Sequence, residues 1–296
     1  MPAPRRLALT TSVSLLAALG TAAPALAAPT HPATSALPAA VAGPAAQRRA
    51  AFPGHPPLVH HLAARRHRAG PMIPGTGPVH PVGPHGEAPA NQDYSANWAG
   101  WAANPQSNTG PYRNVSASWT APTAGCTTRN TYSSFWVGLD GDGSDTVEQT
   151  GTSADCSGGS PVYYAWYEMY PAYPVEFFDP VVPGDQITAS VVADGAGGFT
   201  LTINDSTQRW QETVTQQLPG ARLASAEVIA EAPSSYSGVL ALTDFGTVRF
   251  TGASVNGGPV QAANPSKIDM AANGVVKATT SDLSGGTDFS VAWQSS

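Results

Sequence analysis

From Asp93 to Ser296 the chain never sustains a helical pattern. Short β-prone runs alternate with turns built from Gly, Pro, Asn, Asp and Ser; the clearest are Ser116–Thr120, Tyr132–Leu139, Val162–Tyr170, Gln186–Val192, Phe199–Ile203, Ala226–Ala230, Thr247–Thr251 and Gly274–Ala278. Strands at this spacing predict an all-β fold, an antiparallel sandwich or barrel. At most one helical turn is expected, within Leu218–Ala226. The 30 Gly and 28 Pro among 296 residues exclude a helical bundle, because Gly costs entropy in a helix and Pro breaks its hydrogen bonds. All seven Trp lie in this segment, and Phe52 is the only aromatic residue before it, so a sizeable core can form. No shift in composition marks an internal boundary, and residues 93–296 read as one domain.

Charge and histidine narrow the chemistry. All seven His precede residue 93, and the segment that follows carries seven Lys or Arg against nineteen Asp or Glu. Ser-His-Asp and Cys-His catalysis are excluded there, because the imidazole base is missing. A His-ligated zinc is excluded for the same reason. An acidic surface also disfavours a phosphate backbone, so no nucleic-acid partner is expected. Asp140-Gly-Asp142-Gly-Ser-Asp145 resembles a calcium loop, but Asp145 stands where the sixth-position Gly belongs and Gly151 where the closing Glu belongs. No metal and no cofactor is expected.

The first 28 residues place Arg5 and Arg6 before an apolar stretch, Leu7–Leu19, and then Ala25-Leu26-Ala27. This is the pattern of a secretory signal peptide, too short for a membrane anchor. No later stretch is apolar enough to span a bilayer as a helix. Residues 29–92 are rich in Pro, Ala, His and Arg. That composition buries little apolar surface and predicts extended or disordered chain. Arg48, Arg49, Arg65, Arg66 and Arg68 against Glu87 make it basic. A basic leader ahead of an acidic domain suggests a pro-segment held by charge, a linker being the alternative. In an exported chain the only two cysteines, Cys126 and Cys156, are expected to form one disulfide. Nothing indicates more than a monomer.

Strand periodicity then groups the side chains that remain for chemistry. Residues two apart share a face. Trp166, Glu168 and Tyr170 therefore point one way, as do Glu227 and Glu231, while Glu148 and Gln149 point to opposite faces. Carboxylates beside Trp and Tyr are costly as core and natural in a cleft. A solvated outer face with scattered aromatics fits the same pattern.

Six motifs in order carry a resemblance: Asn97-Trp98-Ala-Gly100, Trp136-Val-Gly-Leu-Asp140-Gly-Asp142, Glu148-Gln149-Thr150-Gly151, Tyr164-Ala-Trp166-Tyr-Glu168-Met-Tyr170-Pro171, Ala226-Glu227-Val-Ile-Ala-Glu231 and Asp244-Phe245-Gly246. The series, over roughly residues 94 to 255, resembles the glutamic peptidases (eqolisins). The resemblance implies a sandwich of two curved antiparallel sheets with polypeptide substrate across the concave face. It implies a catalytic pair, Gln149 and Glu231, and a cleft lined by Trp98, Trp136, Asp140, Trp166 and Glu168, with Asp140 shaping either that cleft or a turn. Glu227 shares the face of Glu231 and is the second choice for the base. Met169, Ala230 and Ala232-Pro233 depart from the family pattern and leave both catalytic positions intact.

The chemistry is self-consistent. Glu231 can take a proton from water and pass it to the leaving amine. The Gln149 amide can donate to the developing oxyanion, worth roughly 3 kcal/mol at comparable sites. A carboxylate base with an ordinary pKa near 4.3 suits acid conditions. The expectation is a secreted acid endopeptidase, insensitive to pepstatin. The alternatives are a glycoside hydrolase on a similar sandwich, which also needs paired carboxylates, and a non-catalytic lectin or peptide-binding module.

Overall fold

The computed structural model describes residues 92–296. The proposed signal peptide, 1–28, lies outside the described residues, as does the pro-segment, 29–92, except for Gln92, which opens the first strand. Eighteen strands follow in order: β1 (Gln92–Ser95), β2 (Trp98–Ala103), β3 (Asn114–Thr120), β4 (Ser134–Leu139), β5 (Val147–Ser157), β6 (Ser160–Tyr170), β7 (Val175–Glu176), β8 (Gln186–Ala193), β9 (Gly198–Asp205), β10 (Trp210–Gln217), β11 (Ala226–Glu231), β12 (Ser234–Ser235), β13 (Gly238–Val239), β14 (Thr247–Val255), β15 (Gly258–Pro259), β16 (Ser266–Ala272), β17 (Val275–Thr280) and β18 (Phe289–Trp293). The described helix is two 3-10 turns, Pro105–Ser107 and Val260–Ala263. No helix forms within Leu218–Ala226, only a single turn closed by the Ala221 amide donating to the Leu218 carbonyl at 3.1 Å. The amides of Arg222, Leu223 and Ala224 instead donate to the Asp140 carboxylate, and Leu223 has a positive φ.

The main hydrogen-bonded path runs β10-β9-β8-β3-β14-β18-β17-β16-β2-β11-β4-β5-β6-β7. It folds into two layers. In the back layer β10, β9, β8, β3 and β14 pair antiparallel; in the front layer β16, β2, β11, β4, β5, β6 and β7 do the same. Strands β18 and β17 join the two. Strand β4 packs on β3 and β8, β5 on β8 and β9, and β11 on β3 and β14. The expected antiparallel sandwich is what the chain forms.

The core between the layers draws on alternate residues of both. Phe135, Val137 and Leu139 of β4 and Ala226, Val228 and Ala230 of β11 meet Val115, Trp119, Ile187, Val191, Leu201 and Phe250. Across the layers the Trp119 indole N–H donates to Thr152 Oγ1 at 3.0 Å, which satisfies two polar groups that would be costly unpaired. Phe250 stacks on Phe289 with centroids 4.9 Å apart. The Cys126–Cys156 disulfide forms as expected, with Cα atoms 5.4 Å apart.

Candidate active site

The front layer has a second buried face, directed away from the back layer. Its apolar part is Trp98, Ala102, Trp136, Val147, Trp166, Ile229 and Ile268, with Tyr164 and Tyr170 packed against them. Register sorts this face into rows across β2, β11, β4, β5 and β6. The first row is Trp98, Glu231, Ser134, Ser153 and Tyr164. The second is Gly100, Ile229, Trp136, Gly151 and Trp166, and the third is Ala102, Glu227, Gly138, Gln149 and Glu168. Trp166, Glu168 and Tyr170 share this face, as do Glu227 and Glu231, while Glu148 turns into the core opposite Leu139 and Met169.

Glu231 and Gln149 lie two strands and two rows apart, with Trp136 between them. The Trp136 indole N–H donates to Glu231 Oε2 at 2.9 Å. The other end of its ring runs over Gly138. A Cβ placed at Gly138 would stand 2.8 Å from Trp136 Cζ3 and 3.1 Å from Gln149 Cβ. A Cβ at Gly151 would stand 2.2 Å from the Phe135 carbonyl oxygen and 2.6 Å from Trp136 Cβ. These two glycines let the indole lie along the sheet, because any side chain there would displace it. Trp98 meets the Trp136 ring edge-on, with centroids 5.1 Å apart at 76°. That geometry suits aromatic quadrupoles.

Each polar group on this face has a physical reason for its state. Glu231 is buried, and burial pushes its pKa up to about 8. Hydrogen bonds from Trp136 and Asn97 oppose that shift by favouring the anion. The Asn97 amide N–H reaches Oε1 at 3.0 Å. Gln149 Nε2 donates to Glu168 Oε2 at 2.7 Å, which fixes the amide plane and uses one of its two N–H groups. The Trp166 indole N–H donates to Ser153 Oγ at 3.0 Å, and Ser153 and Ser134 share a hydrogen bond of 2.9 Å. Glu227 is fully buried, and burial, then the charges of Asp142 and Asp140, holds its carboxyl well above the usual range.

Asp140 does not join this face. It ends β4 with φ of 64°, and its carboxylate accepts the Arg222 and Leu223 amides at 2.9 Å and the Ala224 amide at 2.8 Å. Its own N–H donates to the Ser225 carbonyl at 3.0 Å. Asp140 thus clips the segment that leads into β11 instead of lining a cleft. Trp98, Trp136, Trp166 and Glu168, by contrast, all lie on the face with Gln149 and Glu231. Sequence reasoning gave no role to Asn97, Ser134 or Ser153. Asn97 stands in a quoted motif, but its hydrogen bond to a residue 134 positions away has no local signal. Among the described residues no group of three or more His, Cys, Asp or Glu is arranged to hold a metal ion, and no helix is long and apolar enough to cross a membrane.

The chain has relatives among known proteins. Residues 96–293 match the Peptidase A4 family. The chain is 30% identical to aspergillopepsin-2 from Aspergillus niger over 245 residues, which is 74% of this chain and 84% of that protein. A crystal structure of scytalido-glutamic peptidase with a transition state analog inhibitor superposes with a TM-score of 0.59 at 25% identity, covering 67% of this chain and 98% of that one. The crystal structure of aspergilloglutamic peptidase from Aspergillus niger gives a TM-score of 0.50 at 31% identity, covering 55% and 99%. The chain belongs to the Peptidase A4 family of glutamic peptidases.

Proposed function

We propose that the protein is a secreted acid endopeptidase in which Glu231 is the general base and Gln149 the oxyanion donor. One observation carries the assignment: the Trp136 indole lies between the two, hydrogen-bonded to Glu231 at one end and bordering Gly138 at the other, where the Gln149 stem also borders it. The Glu231 carboxylate takes a proton from water as the water oxygen adds to the scissile carbonyl carbon. The Gln149 side-chain amide donates to the oxyanion that forms. Glu231 then returns its proton to the amine nitrogen, the C–N bond breaks, and an acid and an amine leave. Burial favours the protonated form of Glu231 in the closed face. Water entering with substrate relieves that burial, and the Trp136 and Asn97 donors then favour the carboxylate. Trp98, Trp136, Trp166 and Glu168 form the substrate-facing surface. The basic leader, residues 29–92, acts as a pro-segment against the acidic domain.

The test is hydrolysis of a denatured protein from pH 2 to 7 with pepstatin present, for the matured wild type, Glu231→Gln and Gln149→Ala. Acid-limited cleavage by the wild type alone is expected. Cleavage that survives in Glu231→Gln and disappears in Glu227→Gln moves the base to Glu227. Sugar release in place of peptide cleavage returns the glycoside hydrolase reading. Intact mass after incubation at pH 3 and pH 7 tests the leader, and an uncleaved leader at both ends the pro-segment reading.

A further inference from the structure

Glu148 is a buried acid that the proposed chemistry does not use. It sits on β5 beside Gln149 but faces the core, opposite Leu139 and Met169. It has no solvent exposure, and neither of its oxygens completes a hydrogen bond. Its polar neighbours are the Asp140 carboxyl and the Thr146 side chain. Asp140 is also the clip whose carboxylate accepts three amides ahead of β11. Glu227, again buried with neither oxygen hydrogen-bonded, also lies near enough to Asp140 to feel its charge. Two unsatisfied carboxyls therefore neighbour one hydrogen-bonded carboxylate.

No cation faces this group. Strands β4, β6, β8, β9 and β11, which pack around it, contain no Lys or Arg. Asp142, on the loop after Asp140, is held by Asn104 at 2.8 Å and adds a further carboxyl, with Asp93 near it. Arg222 turns its guanidinium to the Gly143 carbonyl at 3.5 Å. Tyr167 of β6 accepts from Gln216 at 3.2 Å. Asp205, at the end of β9, lies beside Asp185 instead. A second ionised carboxylate beside Asp140 would thus meet repulsion in a dry site with no counter-charge.

We propose that Glu148 is a positioning residue: protonated, it leaves Asp140 free to hold residues 222–224 and so to place β11; ionised, it breaks that clip and switches the active face off. Burial first, then the charge of Asp140, pushes the Glu148 pKa up to about 9. Because the folded value lies above the unfolded one, its contribution to stability is full below about pH 4.5 and is lost as the pH rises through the folded value. The reading rests on the peptidase assignment only where activity is measured.

The experiment follows wild type, Glu148→Gln and Glu148→Leu from pH 3 to 10. The readouts are tryptophan fluorescence, circular dichroism and hydrolysis. Both substitutions are expected to raise the pH midpoint of unfolding by about half a unit or more. They should move the alkaline limb of activity with it, while kcat and KM at pH 4 stay at wild-type values. In the wild type, hydrogen exchange should show amides 222–224 losing protection before those of the back layer. Unchanged alkaline midpoints in both folded variants overturn the proposal. If neither variant folds, retained protection at 222–224 while the rest opens also overturns it. The folding and exchange readouts need no catalysis, so absent hydrolysis would count against the peptidase mechanism alone.

Discussion

The two layers use the same kind of strand differently. In the back layer, β8 alternates buried and solvent-facing residues as a half-exposed sheet should, and β10 alternates half-buried and exposed ones after Trp210. In the front layer, β4 and β11 are buried at every position, and all but the last residue of β5 is buried. Yet the front layer carries Glu148, Gln149, Glu168, Glu227 and Glu231, while the exposed back face carries mainly Thr, Ser and Gln. Buried carboxyls are expensive, and a fold keeps them where neutralisation or dense hydrogen bonding offsets the cost. The difference separates a face selected for solubility from one organised for chemistry.

The comparison breaks most sharply at the catalytic pair. Glu231→Gln should lower kcat by about 10² to 10⁴ in acid with the fold intact, as expected for loss of a general base. Gln149→Ala should lower it by about 10² to 10³. Steady-state hydrolysis beside circular dichroism checks both, and a comparable loss from Thr213→Ala on the back face would remove the distinction. Next comes the disulfide. Replacing Cys126 and Cys156, 30 residues apart, should cost about 3 kcal/mol in urea unfolding. Gly151→Ala follows, at about 1 to 3 kcal/mol from overpacking against Trp136 and the Phe135 carbonyl. Trp136→Phe sharpens the comparison further. It removes an N–H that favours the Glu231 anion, so the acid limb of the activity profile should move to higher pH. The smallest effect belongs to Thr213→Ala itself, within about 0.5 kcal/mol by the same unfolding assay.

Much of the fold was legible in the sequence, because strand periodicity is local. The face shared by Trp166, Glu168 and Tyr170, the face shared by Glu227 and Glu231, and the opposition of Glu148 to Gln149 all follow from a two-residue repeat. Strand β10, Trp210–Gln217, was harder to see, since its mostly polar face hides the apolar signal. The turn at Leu218–Ala221 extends no further because a side chain 82 residues away captures the next amides. Asp140 was read as cleft lining for a related reason: its motif is local, but its partners are not.

The amino-acid sequence by itself determined the fold class, the absence of histidine from the acidic domain, the cysteine pair and the order of the family motifs. These depend on residue type and short spacing. Only the tertiary structure decided that Trp136 lies between Gln149 and Glu231, that Asp140 is a clip, and that Glu148 is sealed in the core. Those facts depend on which strands become neighbours and on what water they exclude. Distant contacts and the loss of solvent set hydrogen-bond partners and pKa values, and no local spacing encodes either.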